Sequence, residues 1–468
     1  MTHMHVAGSI HADVLSRAPG WLGVPADVND LLPALWSRNV SKDSEGMLTV
    51  AGLTVADIAE QVGTPVYVVD EDDLRTRARG FATAFAGWDV YYAGKSFLCT
   101  AVARWVAEEG LGVDVCTGGE LTVALRAGVD PRTIGLHGNN KSDAELELAL
   151  DAGVGRIIAD SFDEIDRISR LVAARGLGER PRIMVRVTTG VEAHTHEYIA
   201  TAHEDQKFGF SISSGQALDA LRAVHAAPAL ELAGIHSHIG SQIFDAEGFA
   251  VAARRTLRLH AAFAAETGVE PPEMDLGGGF GIAYTSTDTP ATPSDLATAM
   301  RRIVETECAA YGVAVPHLSI EPGRAISGPS AFALYTVGTV KHVHLDGDAV
   351  RTYVAVDGGM SDNIRTALYA AEYSATLASR RSEAGPAISR VVGKHCEGGD
   401  ILVRDEFLPA DVAPGDLLAV PASGAYSRSM ASNYNHVPRP PVISVRDGRI
   451  STLLRRETLD DLLRLDAG

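Results

Sequence analysis

The sequence of 468 residues contains only four cysteines, Cys99, Cys116, Cys308 and Cys396, and no Cys-X-X-Cys pair. This scarcity argues against a disulfide framework or a structural zinc site, and it is typical of a reducing cytoplasm. No stretch approaches the roughly 18 consecutive apolar residues of a membrane span, and residues 1–13 have no apolar core behind a basic start. A cytoplasmic protein without a membrane segment is therefore expected.

Positive charge is also scarce. The sequence has 41 lysines and arginines but 60 aspartates and glutamates, so its formal net charge is −19. No basic stripe interrupts this excess, so binding to the phosphate backbone of a nucleic acid is electrostatically opposed. With 46% hydrophobic and 22% charged residues, the composition is that of an ordinary globular protein. The expected partner is a small polar molecule.

A long alternation of strand-like and helix-like segments is present. Apolar runs such as 89–92, 112–115 and 182–187 are separated by Ala- and Leu-rich stretches such as 97–109. Parallel strands need helical crossovers and are buried on both faces, so this α/β pattern predicts a (β/α)8 barrel over residues 70–330. An open doubly wound sheet is the competing interpretation. We favour the barrel because so many successive units end in polar or glycine-rich residues.

The pattern changes after about residue 330. Short strand-like runs divided by glycine, proline and aspartate predict a second, mostly β domain over residues 331–468, of sandwich or barrel-like form. Residues 1–69 form a segment too short to fold alone, and we expect it to pack with this β domain.

Lys95 ends a strand-like run that is the second in the alternation when Val66–Asp70 is counted as the first. A lysine held there partly out of water loses its proton more easily, because desolvation disfavours the ammonium form. Lys95 is therefore a candidate Schiff-base nucleophile. For a single lysine after a strand, a solvated surface position is the commoner outcome. The residues at the other predicted strand ends favour the nucleophile over the surface position.

Glycines collect after another predicted strand, at Gly277, Gly278 and Gly279. Active-site residues of βα barrels lie at such strand ends. The N–H groups of a glycine run can approach a phosphate closely, and Ser241, at a neighbouring strand end, can add a hydroxyl. A flexible turn is the alternative interpretation of the glycines.

Histidines follow a strand at His236 and His238. His238 has three interpretations: a hydrogen-bonded core residue, half of a metal pair with His236, or a flat ring stacked on a planar cofactor. Two further histidine pairs have the same spacing, His194/His196 and His342/His344. No third carboxylate or cysteine ligand follows at a recognisable interval, so no metal site is predicted.

Glu321 and Arg324 follow the last predicted barrel strand. A surface ion pair is the simple interpretation. The functional interpretation is that Glu321 keeps a pyridine nitrogen protonated, as an electron-sink cofactor of the pyridoxal type requires. A lysine, a phosphate loop, a stacking histidine and this carboxylate together form one coherent site, and their conjunction is much rarer by chance than any single part.

The motifs that carry these residues follow one another along the chain. They are Tyr92-Ala93-Gly94-Lys95-Ser96, His137-Gly138-Asn139-Asn140-Lys141, His236 to Ser241, Gly277 to Phe280, Glu321 to Arg324, Cys396-Glu397-Gly398-Gly399-Asp400 and Gly424-Ala425-Tyr426. Because of these motifs the chain resembles the pyridoxal-phosphate decarboxylases of the alanine-racemase-like fold, which include ornithine, diaminopimelate and arginine decarboxylases. The resemblance extends from about residue 50 to the C-terminus. The resemblance implies pyridoxal 5′-phosphate as cofactor.

The resemblance also implies roles for individual residues. Lys95 binds the cofactor covalently, His238 stacks on its ring, and Glu321 pairs with the ring nitrogen. The residues implied to hold the phosphate are Ser241, Gly277, Gly278, Gly279 and Tyr426. The residues implied to bind the substrate are Arg324, Arg365, Tyr369, Glu397 and Tyr426. Cys396, near the reacting carbon, and Glu397 are implied to reach the active site of the other subunit, which makes a homodimer obligatory.

Charge distinguishes the substrates within this family. Ornithine and arginine end in a cation, whereas meso-2,6-diaminopimelate ends in both an ammonium and a carboxylate. Arg324 and Arg365 suit bidentate capture of a carboxylate, and Glu397 suits the ammonium. We therefore expect decarboxylation to L-lysine and carbon dioxide, the last step of lysine biosynthesis, with Cys396 or Lys95 as proton donor. The alternatives are a decarboxylase for ornithine, arginine or a carboxylated polyamine, a racemase, and a non-catalytic regulatory homologue.

Overall fold

The computed structural model describes residues 18–176, 178–190, 207–345 and 350–468, and the His194/His196 pair lies outside them. Within these ranges the chain forms two compact units. The barrel unit comprises Arg75–Ile282 and Pro290–Ile326. The β unit comprises the residues up to Leu74 together with Ala283–Thr289 and Ser327–Gly468.

The barrel unit is a closed ring of parallel strands with helical connections, which confirms the predicted barrel. The ring closes where the eighth strand pairs with the first, with Ser319 opposite Asp89 and Ile320 opposite Val90. In order, the barrel strands in the described ranges are Asp89–Ala93, Gly112–Val115, Ile134–Leu136, Arg156–Ala159, Arg182–Thr188, Glu231–Ser237, Glu273–Asp275 and His317–Ile320. The short strand Phe210–Ser211 pairs with the fifth of them.

Helices link successive strands, and several begin at a serine or threonine whose side chain accepts a hydrogen bond from the first turn. Ser142 and Glu145 form a capping box at the start of one such helix, which ends at Gly153 in the left-handed conformation. The helices are Thr100–Glu108, Gly118–Arg126, Asp143–Ala152, Phe162–Arg175, Gln216–Ala226, Glu247–Thr267, Pro293–Tyr311 and Arg324–Ser327, with 3₁₀ turns at Gly94–Ser96 and Pro131–Thr133. Helix Glu71–Ala84 precedes the first barrel strand. No helix in the described ranges combines the length and the apolar character that crossing a bilayer requires.

The strand count that preceded Lys95 was wrong. Val66–Asp70 belongs to the β unit, where it pairs antiparallel with Ala331–His344 and parallel with Val442–Arg446. Lys95 therefore follows the first barrel strand. The sequence interpretation missed the third barrel strand, Ile134–Leu136, because a three-residue run with a central glycine gives almost no pattern.

The β unit is built around the long strand Ala331–His344, and this mostly β architecture was predicted. In sheet order its strands are Ile401–Pro409, Pro386–Val392, Val350–Val356, Ala331–His344, Val66–Asp70, Val442–Arg446 and Arg449–Leu454. Leu417–Val420 also pairs with Ala331–His344, and Thr376–Leu377 pairs with Leu417–Val420. A small sheet is formed by Val40–Lys42, Leu48–Val50 and Leu53–Thr54. The helical segments are Pro33–Leu35, Val55–Val62, Arg365–Tyr369, Arg428–Met430, Tyr434–His436 and Leu459–Leu463.

One hydrophobic core joins distant parts of the β unit. Leu35 and Leu48, from the N-terminal part of the chain, are buried in the same cluster as Phe332 and Ile443. Burial of such side chains contributes on the order of 1.5–3 kcal/mol each, so the N-terminal segment stabilises this unit through direct packing.

Candidate active site

The carboxyl ends of the barrel strands surround a cavity of about 360 Å³. The predicted site residues Lys95, His238 and Glu321 all line it. Its walls also contain residues to which the sequence interpretation gave no role, namely Asp114, Cys116, His137, Asn139, Arg186 and Phe208. A larger cavity of about 520 Å³ is lined by Arg182 and Glu231, which begin two barrel strands, and catalytic groups of such barrels lie at the opposite ends. The smaller cavity is therefore the candidate active site.

Lys95 lies in the 3₁₀ turn Gly94–Ser96, directly after the first barrel strand. The buried Ser96 hydroxyl fixes this turn by donating to the carbonyl oxygen of Ala93 at 2.9 Å. The Lys95 side chain is exposed, so the premise that the protein holds it partly out of water is wrong. Its candidacy as the nucleophile depends instead on its place in the cavity wall, where a ligand can reach it.

The loop Gly277–Gly279 is packed too closely to admit side chains. A Cβ atom on Gly278 would lie 2.1 Å from the carbonyl oxygen of Glu321, and one on Gly279 would lie 2.3 Å from that of Gly240. Gly277 and Gly279 also have positive φ angles, +72° and +99°, which favour glycine. The three glycines are thus required by the fold of the loop itself.

Two of the loop's N–H groups are used inside the protein. The N–H of Gly277 donates to Asp275 Oδ1 at 2.7 Å, and that of Gly278 donates to His238 Nδ1 at 3.2 Å. In the described part of the chain, the N–H of Gly279 has no protein acceptor. Among the three glycines predicted to bind the phosphate, Gly279 therefore has its N–H group available to a ligand. Gly277 and Gly278 instead fix the shape of the loop.

The contact with Gly278 also fixes the tautomer of His238. Because Nδ1 accepts that hydrogen bond, the ring proton lies on Nε2. Burial, followed by the positive charges of Lys95 and Arg186, holds the pKa of His238 well below its ordinary value. His238 is thus a neutral, flat ring at the cavity wall. Its bonding supports the stacking interpretation over a metal pair with His236.

Glu321 is buried between two histidines. Its Oε1 atom lies 3.0 Å from Nε2 of His236 and 3.1 Å from Nε2 of His137. Burial alone would raise the pKa of Glu321, but the contacts with His137 and then His236 hold it well below its ordinary value. Arg324 instead donates from Nη2 to the Ser241 hydroxyl at 2.8 Å, so the structure brings those two predicted site residues together. Glu321 is consequently a carboxylate, as a partner for a protonated ring nitrogen must be.

In the β unit, Arg365 and Tyr369 are the first and last residues of a short helix, and Tyr369 is half-buried. Arg365 is only 3% exposed. Its Nη1 donates to the Tyr373 hydroxyl at 2.5 Å, and its guanidinium lies 4.7 Å from the centroid of the Tyr284 ring. Among the residues that the structure describes, no carboxylate pairs with it. Burying a charge without a counter-charge is unfavourable, so this position suits an anionic ligand.

Cys396 and Glu397 are exposed on a loop after strand Pro386–Val392. Asp400 holds this loop, because its Oδ2 accepts the N–H of His395 at 2.7 Å and its Oδ1 accepts the N–H of Met360 at 2.6 Å. No hydrogen bond or ion pair joins Cys396 or Glu397 to Arg365 within the described part of the unit.

Tyr426 has a φ angle of +59°, a conformation that is strained for a bulky residue. Gly424, two residues earlier, has no room for a side chain, since a Cβ atom there would lie 1.8 Å from the carbonyl oxygen of Ser327. Strained backbone persists where the surrounding structure requires it and is often found at functional sites. The ligand-binding role of Tyr426 stays a prediction.

The barrel carries three features of a pyridoxal-phosphate enzyme: a lysine after its first strand, a carboxylate after its last strand, and a glycine loop between them in the sequence. The model of the pyridoxal-dependent decarboxylase family, pyridoxal binding domain, matches residues 71–328. The fold and this match define the chain as a pyridoxal-dependent decarboxylase.

Curated relatives narrow the family further. The diaminopimelate decarboxylase of Mycobacterium tuberculosis H37Rv is 52% identical over 447 residues, which cover 94% of this chain and all of the relative. That of Bacillus subtilis is 43% identical over 429 residues, covering 91% of this chain and 96% of the relative. The solved diaminopimelate decarboxylase of M. jannaschii has a TM-score of 0.85 at 29% identity, covering 92% of this chain and 98% of that one. The chain belongs to the diaminopimelate decarboxylases.

Replacing Gly278 with alanine should disrupt the loop, because its Cβ would meet a backbone oxygen that cannot move away alone. Overpacking of this kind costs about 1–3 kcal/mol of stability, and displacement of Glu321 and His238 should weaken binding of pyridoxal phosphate more than about 10-fold. Absorbance titration with the cofactor and thermal unfolding measure both effects. Gly80→Ala is the control, since nothing lies within 4 Å of its Cβ in a helix; it should leave cofactor binding unchanged. Equal binding by both variants would contradict the prediction.

Proposed function

We propose that the chain catalyses decarboxylation of meso-2,6-diaminopimelate to L-lysine and carbon dioxide, with pyridoxal 5′-phosphate as cofactor. The observation that carries the substrate assignment is Arg365, a buried guanidinium without a carboxylate partner in the described structure. Diaminopimelate brings a distal carboxylate that can pair with it, whereas the distal cation of ornithine is repelled.

The barrel cavity fits the cofactor. Lys95 is an accessible amine in its wall, and the neutral ring of His238 offers a flat face. Glu321 offers an anion, the N–H of Gly279 and the hydroxyl of Ser241 are hydrogen-bond donors for a phosphate, and the glycine loop leaves no room for side chains in this cradle. When bound, pyridoxal phosphate supplies an electron sink for the carbanion left by loss of carbon dioxide.

The protein's own groups then have distinct tasks. Lys95 Nζ would hold the cofactor covalently and would be free to act on the substrate once the substrate amine has taken its place. Ionised Glu321 would pair with the protonated ring nitrogen, and His238 would pack against the ring and exclude water. Arg365 orients the distal carboxylate. Cys396 Sγ, or Lys95 Nζ, returns a proton to the α-carbon.

Cys396 and Glu397 are proposed to act in the active site of a second copy of the chain, as parts of a homodimer. Their exposure supports this, and so does the absence of a bond between them and Arg365 in the described part of the unit. In this arrangement Glu397 binds the distal ammonium of the substrate, and Cys396 reaches the reacting carbon.

Lysine release from meso-diaminopimelate, measured with and without added pyridoxal phosphate, tests the proposed function. We expect release that depends on the cofactor and is at least about 10²-fold faster than decarboxylation of ornithine or arginine, because the distal carboxylate pairs with a buried guanidinium. Equal or faster turnover of ornithine would overturn the substrate. No turnover of any of these amino acids by cofactor-loaded protein would favour a regulatory homologue.

Mixing two impaired variants tests the shared active site. Cys396→Ala should lower turnover by about 10²-fold as a lost proton donor, and Lys95→Ala should be inactive. After subunit exchange, half of the dimers carry one copy of each variant, and each of these has one intact site, so activity should return to about a quarter of wild type. Near wild-type turnover by Cys396→Ala alone would exclude the cysteine as donor. An inactive mixture, with exchange verified by mass spectrometry, would contradict the shared site.

A further inference from the structure

His137, at the end of the third barrel strand, lies between two buried carboxylates. Its Nε2 atom is 3.1 Å from Glu321 Oε1 and 3.4 Å from Asp114 Oδ1. The three residues expose only 6%, 5% and 3% of their surfaces. Neither contact has hydrogen-bond geometry in the described structure, but an unprotonated nitrogen there would bring its lone pair close to two anions. A proton on Nε2 is therefore favoured.

The other charged groups near this array have partners of their own. Arg186, on the fifth barrel strand, lies 3.9 Å from Asp160. Arg156 lies 3.8 Å from Asp114 but is held at 2.5 Å by Asp275 on the seventh strand. His236 donates a hydrogen bond to Glu321 Oε1, and burial lowers its pKa, so it is neutral. His137 is thus the group that can place a positive charge directly against Glu321.

We propose that His137 is a positioning residue that, as an imidazolium between Asp114 and Glu321, holds Glu321 in its ionised form. Glu321 can then keep a proton on the ring nitrogen of the cofactor, so this role rests on the proposed function. Both histidines approach Oε1, and Oε2 makes no protein hydrogen bond in the described structure. The second oxygen is thereby left for the ring N–H.

The electrostatics of the site agree with this geometry. Burial alone would lower the pKa of His137, but the charges of Glu321 and Asp114 outweigh it and raise the pKa to about 9. Burial, followed by the charge of Glu321, raises the pKa of Asp114 to about 7. At neutral pH the array therefore holds an imidazolium and an ionised Glu321, and the positive charge is lost as the pH rises through about 9.

Within the described residues, His137, His236 and Glu321 are also the side chains whose donor atoms are close enough together for a metal ion. Donor atoms of His137, His236 and Glu321 lie within 4.8 Å of one another. A protonated His137 repels a divalent cation, and the proton on its nitrogen takes the place that the cation would occupy. Stoichiometric zinc binding to the wild-type chain that His137→Gln abolishes would overturn the proposal.

Nitrogen-15 NMR of histidine rings in the full-length chain, with and without pyridoxal phosphate, tests the charge directly. At pH 7.5 we expect both ring nitrogens of His137 to be protonated, with the signal assigned by its loss in His137→Gln. Glu321→Gln should lower the titration midpoint of His137 by at least about 1 pH unit, because one of the two flanking anions is removed. His260→Gln is the control, since His260 is buried and its Nε2 contacts only the Pro271 carbonyl oxygen, at 3.0 Å. A neutral His137 ring at pH 7.5 in the wild type would overturn the proposal.

The pH profile of turnover distinguishes an electrostatic role of His137 from a role in packing. In His137→Gln the pKa of Glu321 should rise, so the acid limb of kcat should move to higher pH, with kcat lower by about 10-fold or more and KM changed less than about 3-fold. His137→Lys restores a cation and should recover part of this loss. An equal loss in both variants at every pH would identify a purely structural role and overturn the proposal. The NMR measurement needs no substrate, so failure of the proposed reaction remains distinguishable from failure of this role.

Discussion

Lys95→Ala is expected to lower lysine release by about 10³-fold or more at saturating pyridoxal phosphate, because the amine proposed to attach the cofactor is lost. Borohydride reduction followed by peptide mapping provides a second measurement. Wild-type protein should carry a pyridoxyl group on the peptide that contains Lys95, and the variant should carry none.

The motif that contains His137 also contains a lysine, Lys141, but the structure excludes it as the attachment point. Lys141 is fully buried, and its Nζ contacts Glu164 Oε1 at 2.6 Å and the carbonyl oxygens of Gly138 and Ile158. Lys341→Ala provides the matched control, because Lys341 is exposed like Lys95 but lies on a strand of the β unit. It should keep wild-type turnover. A pyridoxyl group on any peptide of Lys95→Ala, with activity retained, would contradict the assignment.

The sequence was most informative at the strand ends. A barrel places the carboxyl end of each strand on one face, so Lys95, His238 and Glu321 could be expected to share a site, and all three line the cavity. Val66–Asp70 was counted with the wrong sheet because a buried apolar strand has the same pattern in either unit. His137 received no role because its strand, Ile134–Leu136, was too short to recognise.

Partnerships set by tertiary structure could not be predicted. The sequence indicates that a glycine loop can bind a phosphate, but it does not show that the N–H groups of Gly277 and Gly278 are used by Asp275 and His238. The sequence likewise does not show whether Arg365 lies on the surface, where charged side chains are commonest. The structure shows a buried guanidinium instead, because two tyrosines from separate segments enclose it.

Arg365→Met should raise the KM for meso-diaminopimelate by about 10²-fold, which corresponds to about 2.7 kcal/mol, because a buried charge pair with the substrate carboxylate is lost. The preference for diaminopimelate over ornithine should narrow by a similar factor. Initial rates over a range of both substrates, at saturating cofactor, measure the two effects.

Stability should respond in the opposite direction. Because Arg365 has no carboxylate partner in the described structure, methionine removes an uncompensated buried charge, and the melting temperature should stay the same or rise. Arg351→Met is the matched control, because Arg351 is also buried but pairs with Asp405 at 3.2 Å, and the substitution removes that charge pair. That variant should melt at a lower temperature with an unchanged KM. A lower melting temperature for Arg365→Met, with the KM unaffected, would show that Arg365 serves the fold and not the substrate.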